Sequence, residues 1–298
     1  MGWLYFWVLN FIWASAYFVV DSVAHQLDAV LLTWLRLCLT ALFILMIYPK
    51  VLTFRSVGIS GLLLLGTSSF ISHVIPFTLL NVGQRFLNPA VTTLVISATP
   101  LFVIVARILI NPRSASFREI IPVFIGLYGI FILTDLKHEE YNLAILLVLG
   151  AAASYAVAMR VNTRISHREN LFIAGFVQTS FSSLLLLPYL IFSAADYSPQ
   201  LLSVNTIQWI FIVVILGGGG ALGSFVYFKM LKHLGPETSS YITYTIPIIS
   251  GIFFYTTSTT IPSTDYILGS GIILSALILT RWFTIKPLPQ KKVAAEHK

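Results

Sequence analysis

Arg36 stands in an otherwise apolar stretch, residues 28–48, roughly eight residues from its start. In a helix Thr33 and Thr40 share its face. Two roles suit a cation so placed. It can hold a substrate carboxylate or phosphate, or it can bond backbone carbonyls that a broken neighbouring helix exposes. His73 lies in a second apolar stretch with Pro76 after it. Its imidazole can relay a proton near neutral pH, or serve as a hydrogen-bonding group inside a helix bundle. Asn10, Trp13 and Tyr17 recur at three- and four-residue steps, which sets them on one helical face able to wall a cavity for an apolar or cationic group. In the second half, Tyr155, Gln178, Ser182, Ser224, Tyr227 and Tyr244 can supply a matching polar wall.

Other chemistries are excluded by spacing. Gly217-Gly218-Gly219-Gly220 lacks the Gly-Lys-Ser/Thr that completes a phosphate loop, and Gly219 with Gly223 makes a small-xxx-small step suited to close helix contact. Gly58-Ile59-Ser60-Gly61 fits the Gly-x-Ser-Gly of intramembrane serine proteases. Ser60 and His73, however, would lie roughly 20 Å apart on one helix and cannot form a dyad. No His/Cys/Asp/Glu cluster suits a metal. The eleven acidic residues all fall at the ends of apolar stretches, in connections or in the tail, so no carboxylate is expected deep in an apolar stretch. No catalytic residues, metal or cofactor are expected.

The elements that must position these residues follow from composition. Of 298 residues 57% are hydrophobic and 10% charged, with mean hydropathy +0.88, against about 25% charged in an ordinary soluble domain. So few charges cannot coat a water-facing globule, and the chain reads as an all-α integral membrane protein. Ten spans are expected, near 3–22, 28–48, 57–80, 88–110, 117–134, 142–162, 170–193, 206–231, 237–258 and 264–284. The connections leave no room for a soluble domain, and residues 286–298 read as a disordered cytoplasmic tail. The one cysteine, Cys38, lies within a span and excludes a disulfide framework, and no basic n-region marks a cleavable signal. With the N-terminus in the cytoplasm, every Lys and Arg except Arg36, Arg85 and Lys137 falls at a cytoplasmic end. This positive-inside bias puts both termini there. The net charge of +7 is thus a matter of topology and does not call for nucleic acid.

Two segments share a pattern. Asn88-Pro89 through Pro100 and Gly235-Pro236 through Pro247 carry prolines at equal spacing, and on that register Ser97 matches Tyr244. Pro100 and Pro247 are expected to break their helices near mid-membrane and to act in gating. A proline-broken, hydroxyl-bearing span in each half points to the central site of a transporter. Five spans per half means the halves enter the bilayer opposite ways up, as 1–135 and an inverted 141–285. Trp13 then pairs with Tyr155 and Arg36 with Gln178.

Trp13-Ala14-Ser15-Ala16-Tyr17-Phe18, Leu35-Arg36-Leu37-Cys38-Leu39-Thr40-Ala41, and the stretch from Pro76-Phe77-Thr78-Leu79-Leu80 to Thr99-Pro100-Leu101-Phe102 resemble the ten-helix EamA-type branch of the drug/metabolite transporter superfamily. The likeness covers nearly the whole chain up to the tail. One departure is that the glutamate common after the fourth span of each repeat is replaced by Asn111-Pro112 and Thr259-Thr260. The resemblance implies a multi-pass protein of the cytoplasmic membrane, monomeric or homodimeric. It would move a small metabolite, an amino acid or derivative, by alternating access as an exporter or exchanger. A larger solute, such as a nucleoside derivative or drug-like cation, is the alternative; an intramembrane enzyme is a third. The substrate would meet Asn10, Trp13, Tyr17, Arg36, His73, Ser97, Tyr155, Gln178, Tyr227 and Tyr244.

Overall fold

The computed structural model describes residues 1–111, 117–132, 139–193, 197–257 and 262–284. Lys137, the 286–298 tail and the Pro112 and Thr259-Thr260 positions lie outside them. Among the described residues the long helices are α1 (Gly2–Val23), α2 (Ala29–Ile47), α3 (Gly58–Gly83), α4 (Pro89–Ile110), α5 (Phe117–Ile132), α6 (Glu139–Arg168), α7 (Leu171–Phe192), α8 (Thr206–Ser240), α9 (Ile242–Thr257) and α10 (Thr264–Thr284), with short helical turns over Pro49–Val57 and Ser198–Ser203 in the connections. Seven of the described helices are long and apolar enough to cross a bilayer. α6 reaches six residues beyond the expected 162, so Asn162 is well inside it.

Helix starts are set by side chains that satisfy otherwise orphaned N–H groups, which in lipid have no water to turn to. Asp28 accepts from the N–H groups of Val30 and Leu31 at the head of α2, and Asn170 accepts from Phe172 and Ile173 at the head of α7. These caps are 142 residues apart, the offset that also relates Arg36 to Gln178. Asn88 caps α4 through Val91 N–H, with Pro89 in the first turn where no donor is needed.

The packing keeps the same duplication. α2 packs on α7, α4 on α9 and α5 on α10; α1 packs on α8 and α9 as α6 packs on α3 and α4. Exchanging the two halves maps this set of neighbours onto itself. Close approach is allowed by missing side chains. A Cβ on Gly220 of α8 would collide with the Thr40 hydroxyl of α2, and one on Gly217 with Leu39 and Phe43. Gly219 and Gly223 instead face Ile12 of α1, so the glycine run serves two helix contacts.

Four irregularities interrupt the regular ladders. α3 widens to a π turn over Phe70–Val74 and α8 over Ile212–Gly218. Carbonyls at or beside these turns are taken by hydroxyls of other helices: Ile71 by Ser154 (2.7 Å), Ser69 by Ser182 (3.2 Å) and Leu216 by Thr40 (3.1 Å). α4 breaks at Ser97–Ala98 into Pro89–Ile96 and Thr99–Ile110. Pro100 offers no N–H to Ile96, whose carbonyl instead accepts from Thr99 Oγ1 at 2.7 Å. The second proline pair behaves differently. Gly235 (φ +73°) breaks α8, and a turn at Tyr241 separates Pro236–Ser240 from α9. Helix α9 then continues through Pro247. The expected mid-membrane break at Pro247 is therefore displaced to Tyr241, one turn nearer Pro236 than the matching break in α4. Gly235 tolerates the left-handed φ that lets the chain turn early.

Candidate functional site

The irregular parts of α3, α4 and α8 surround a central cavity of about 1230 Å³ of space free of protein atoms, its open mouth included. Trp13, Tyr17, Arg36, His73, Tyr155, Gln178 and Tyr227 all line it, contributed by α1, α2, α3, α6, α7 and α8. Three expected site residues do not. Asn10 is fully buried between α1 and α9, its amide bonded to Thr245 Oγ1. Ser97 is fully buried with its hydroxyl turned back onto Leu94 O at 2.5 Å. Tyr244 packs against Tyr241 and the core beside α4 and α6. Ser97 lies at the break in α4 and bonds back onto its own helix, and the partner of Asn10, Thr245, lies just past the turn at Tyr241. Pro100 and Pro247 are likewise absent from the wall; Thr99, Thr243 and Ile246 stand there instead.

Arg36 is the dominant charge of the cavity. Its guanidinium carbon lies 3.8 Å from the centroid of the Phe77 ring. A guanidinium over an aromatic face is attracted by the ring quadrupole, by about 2 kcal/mol or more when desolvated. That stacking uses its flat face and leaves its edge N–H donors free. Among the described residues no carboxylate pairs with Arg36 and no carbonyl accepts from it, so the backbone-bonded alternative is not realised. Tyr17, Tyr155 and His73 are close enough to interact with it electrostatically. His73 packs edge-on to Phe77 (centroids 5.4 Å apart), and its Nδ1 is buried without a hydrogen-bond partner.

Opposite this cation is an amide–hydroxyl network. Asn162 accepts from Ser68 Oγ (2.9 Å) and from Gln178 Nε2 (2.9 Å), and donates to Ser72 Oγ (3.0 Å). Gln178 also donates to Ser68 Oγ at 2.6 Å. Tyr227 joins through Asn162 at 3.5 Å and packs on Trp13, ring centroids 5.7 Å apart. The network ties α3, α6, α7 and α8 at the level of the first π turn. Every bond inside it is between neutral groups, so it presents shape and hydrogen bonding without charge.

Phe77, Asn81, Gln84 and Asn162 line the cavity but were not singled out from sequence. A signal existed: His73, Phe77, Asn81 and Gln84 follow four- and three-residue steps on α3, the same periodicity that picked out Asn10, Trp13 and Tyr17. Asn81 and Gln84 lay beyond the expected end of that span at residue 80, and Asn162 at the expected end of another.

Different contacts stand at the two ends of the helices that surround the cavity. At the end of α3 Gln84 donates to Tyr17 O (3.0 Å) and Arg85 to Leu27 O (2.9 Å), while Gln208 donates to Ser22 O (2.7 Å). At the opposite end Arg160 of α6 faces Glu237, just past the Gly235 break, at 3.7 Å, and also reaches Val103 O at 3.4 Å.

Comparison with known proteins gives the same architecture. A solved crystal structure superposes over 96% of this chain and 99% of its own with a TM-score of 0.64, at 16% identity, which establishes a shared fold alone. The S-adenosylmethionine uptake transporter of Rickettsia bellii (strain RML369-C) is 22% identical over 206 residues, 68% of this chain and 67% of that protein. The sequence profile of the EamA-like transporter family matches residues 1–135 and again 142–282. A duplicated helical fold, a central cavity and a family match over both halves lead to one conclusion: this chain belongs to the EamA-like transporter family, a transporter of small metabolites and not an enzyme.

Proposed function

We propose that this protein is an alternating-access carrier for an amino acid or amino-acid derivative, which Arg36 holds by its carboxylate. The observation that carries the reading is Arg36 itself: a cavity-lining guanidinium stacked on Phe77 with its edge donors unengaged. An unpaired cation near mid-membrane costs about 2.5–3.5 kcal/mol on insertion scales, more than a single ring repays. A substrate anion closes that gap, and an arginine's planar fork fits a carboxylate with two parallel bonds.

The remaining lining supports the class. Trp13, Tyr17, Tyr155 and Tyr227 offer an aromatic wall for the substrate's apolar or cationic part. A nucleoside-bearing derivative belongs to the same class, in keeping with a relative named for S-adenosylmethionine uptake. No acidic residue lines the cavity among the described residues. That supports exchange of one solute for another over symport with a proton or sodium ion, which usually needs an intramembrane carboxylate. The two halves rock about the cavity, with Arg160–Glu237 closing the cytoplasmic side. Ten spans in the cytoplasmic membrane, both termini inside, complete the reading on the positive-inside distribution.

The test is counterflow. Purified protein in liposomes loaded with a mixture of unlabelled amino acids and S-adenosylmethionine should accumulate a labelled member of its substrate class, and empty liposomes should not. Equal accumulation in Arg36→Gln would refute the carboxylate anchor.

A further inference from the structure

We propose that Asn81 is the amine-reading half of the binding site, so that the cavity selects a zwitterionic α-amino acid head group over a simple carboxylate. The inference rests on the reading of Arg36 as the carboxylate anchor and adds a second residue and a narrower substrate class to it.

Asn81 is 98% buried and lines the cavity. Its Nδ2 donates to Thr33 Oγ1 at 2.9 Å and to Ala29 O at 3.3 Å. The orientation of this amide follows from its partners. Ala29 O can only accept, and the Thr33 hydroxyl spends its proton on that same carbonyl at 2.7 Å, so both groups facing Asn81 are acceptors. The nitrogen must face them, and Oδ1 must point away. There it is buried with no hydrogen-bond partner. A buried amide oxygen left unpaired is costly, and the cost falls away when a donor arrives.

The place of this oxygen decides which donor. Thr33, which anchors the amide, is one turn before Arg36 on α2, about 4.5 Å along the axis. Phe77, on which Arg36 stacks, is one turn before Asn81 on α3. An unpaired fork of donors and an unpaired acceptor thus lie about one turn apart along the α2–α3 contact. An α-amino acid carries the complementary pair on a single carbon: a carboxylate for Arg36 and an ammonium for Asn81 Oδ1. A plain carboxylic acid satisfies the first and leaves the second orphaned. A site built to bond a polar group rejects the analogue that lacks it, because its own buried partner stays unpaired.

The experiment titrates purified full-length protein with matched pairs: methionine and 4-(methylthio)butanoate, leucine and 4-methylpentanoate, phenylalanine and 3-phenylpropanoate. The wild type should bind the best amino acid about 10- to 100-fold more tightly than its deaminated partner, as expected for a hydrogen bond to a charged group. Asn81→Leu should bring the amino acid down to the affinity of the partner and leave the partner unchanged. Thr33→Val, an isosteric change that removes one of the two bonds orienting the amide, should narrow the preference in a protein that still folds. If both variants keep the wild-type ratio, or weaken both ligands equally, Asn81 does not read the amine. Failure of the underlying reading shows separately: Arg36→Gln would then retain affinity for the deaminated acids, whatever the Asn81 variants do.

Discussion

Thr99 and Pro100 form a small compensated unit whose energetics can be worked from the structure. Pro100 removes the donor that Ile96 O would have had in an unbroken α4, and Thr99 Oγ1 takes that carbonyl at 2.7 Å. Ile96 is 1% exposed, so lipid headgroups do not reach its carbonyl. Thr99→Val keeps the side-chain shape and deletes the donor. In a soluble protein the orphaned carbonyl would cost about 1–3 kcal/mol. Hydrogen bonds measured inside membranes run lower, near 0.6 kcal/mol and at most about 1.7, because the unfolded chain in the bilayer also finds partners. The expected loss is therefore about 1 kcal/mol. Pro100→Ala supplies a backbone N–H to the same carbonyl and makes the hydroxyl redundant. The double variant should recover most of the loss, giving a coupling of about 0.6–1.7 kcal/mol between adjacent residues. Unfolding of the four proteins by SDS titration measures it. If Thr99→Val costs the same with and without Pro100, the hydroxyl is not compensating the proline and the account of this break is wrong.

Gly220→Ala should destabilise by about 1–3 kcal/mol, because its Cβ collides with the Thr40 hydroxyl and drives it from Leu216 O; Thr40→Ala in the same chain should recover part of this, read by melting temperature. The Arg160–Glu237 pair is partly exposed, so Glu237→Gln should change stability by less than about 1 kcal/mol while speeding exchange if the pair closes the cytoplasmic side, which counterflow rates would detect. In the Asn162–Gln178–Ser68 network, Asn162→Leu should cost more than Ser68→Ala, since it removes four bonds of the network rather than two. For topology, a cysteine at Phe86 in a Cys38→Ser background should label from outside and one at Glu169 only after permeabilisation; the reverse pattern would overturn the assigned orientation.

What could be read from sequence was whatever local rules dictate. Asp28 and Asn170 sit at helix starts because a short side chain must cap there, and Arg36, Trp13, Tyr155 and Gln178 reach one cavity because helical spacing and the duplication aim them inward. The displaced break shows the limit. Proline spacing placed the second interruption at Pro247, but a proline deletes a donor without dictating where the chain bends. Gly235, with its positive φ, and the turn at Tyr241 absorb the bend instead. The same limit explains Ser97 and Tyr244. Both have the chemistry of a binding site, and neither lines the cavity, since the backbone at each break claims its neighbours. Asn81 and Asn162 carry little sequence signal of a site, because hydropathy ends their spans near 80 and 162, and a polar residue at a helix end reads as solvated. The π turns left no mark in the sequence: they depend on Ser154, Ser182 and Thr40, whose hydroxyls donate from other helices to the carbonyls at or beside the turns.

Affinity and melting temperature measured on the same preparations of wild type and Arg36→Gln test the central claim most directly. The guanidinium has no carboxylate or carbonyl partner among the described residues, so its removal relieves a buried charge and forfeits only the Phe77 stacking. The melting temperature should hold or rise, while binding of the amino acid that stabilises the wild type should be lost. A variant that melts markedly lower yet binds that amino acid with unchanged affinity would make Arg36 a structural residue and end the carboxylate-anchor account.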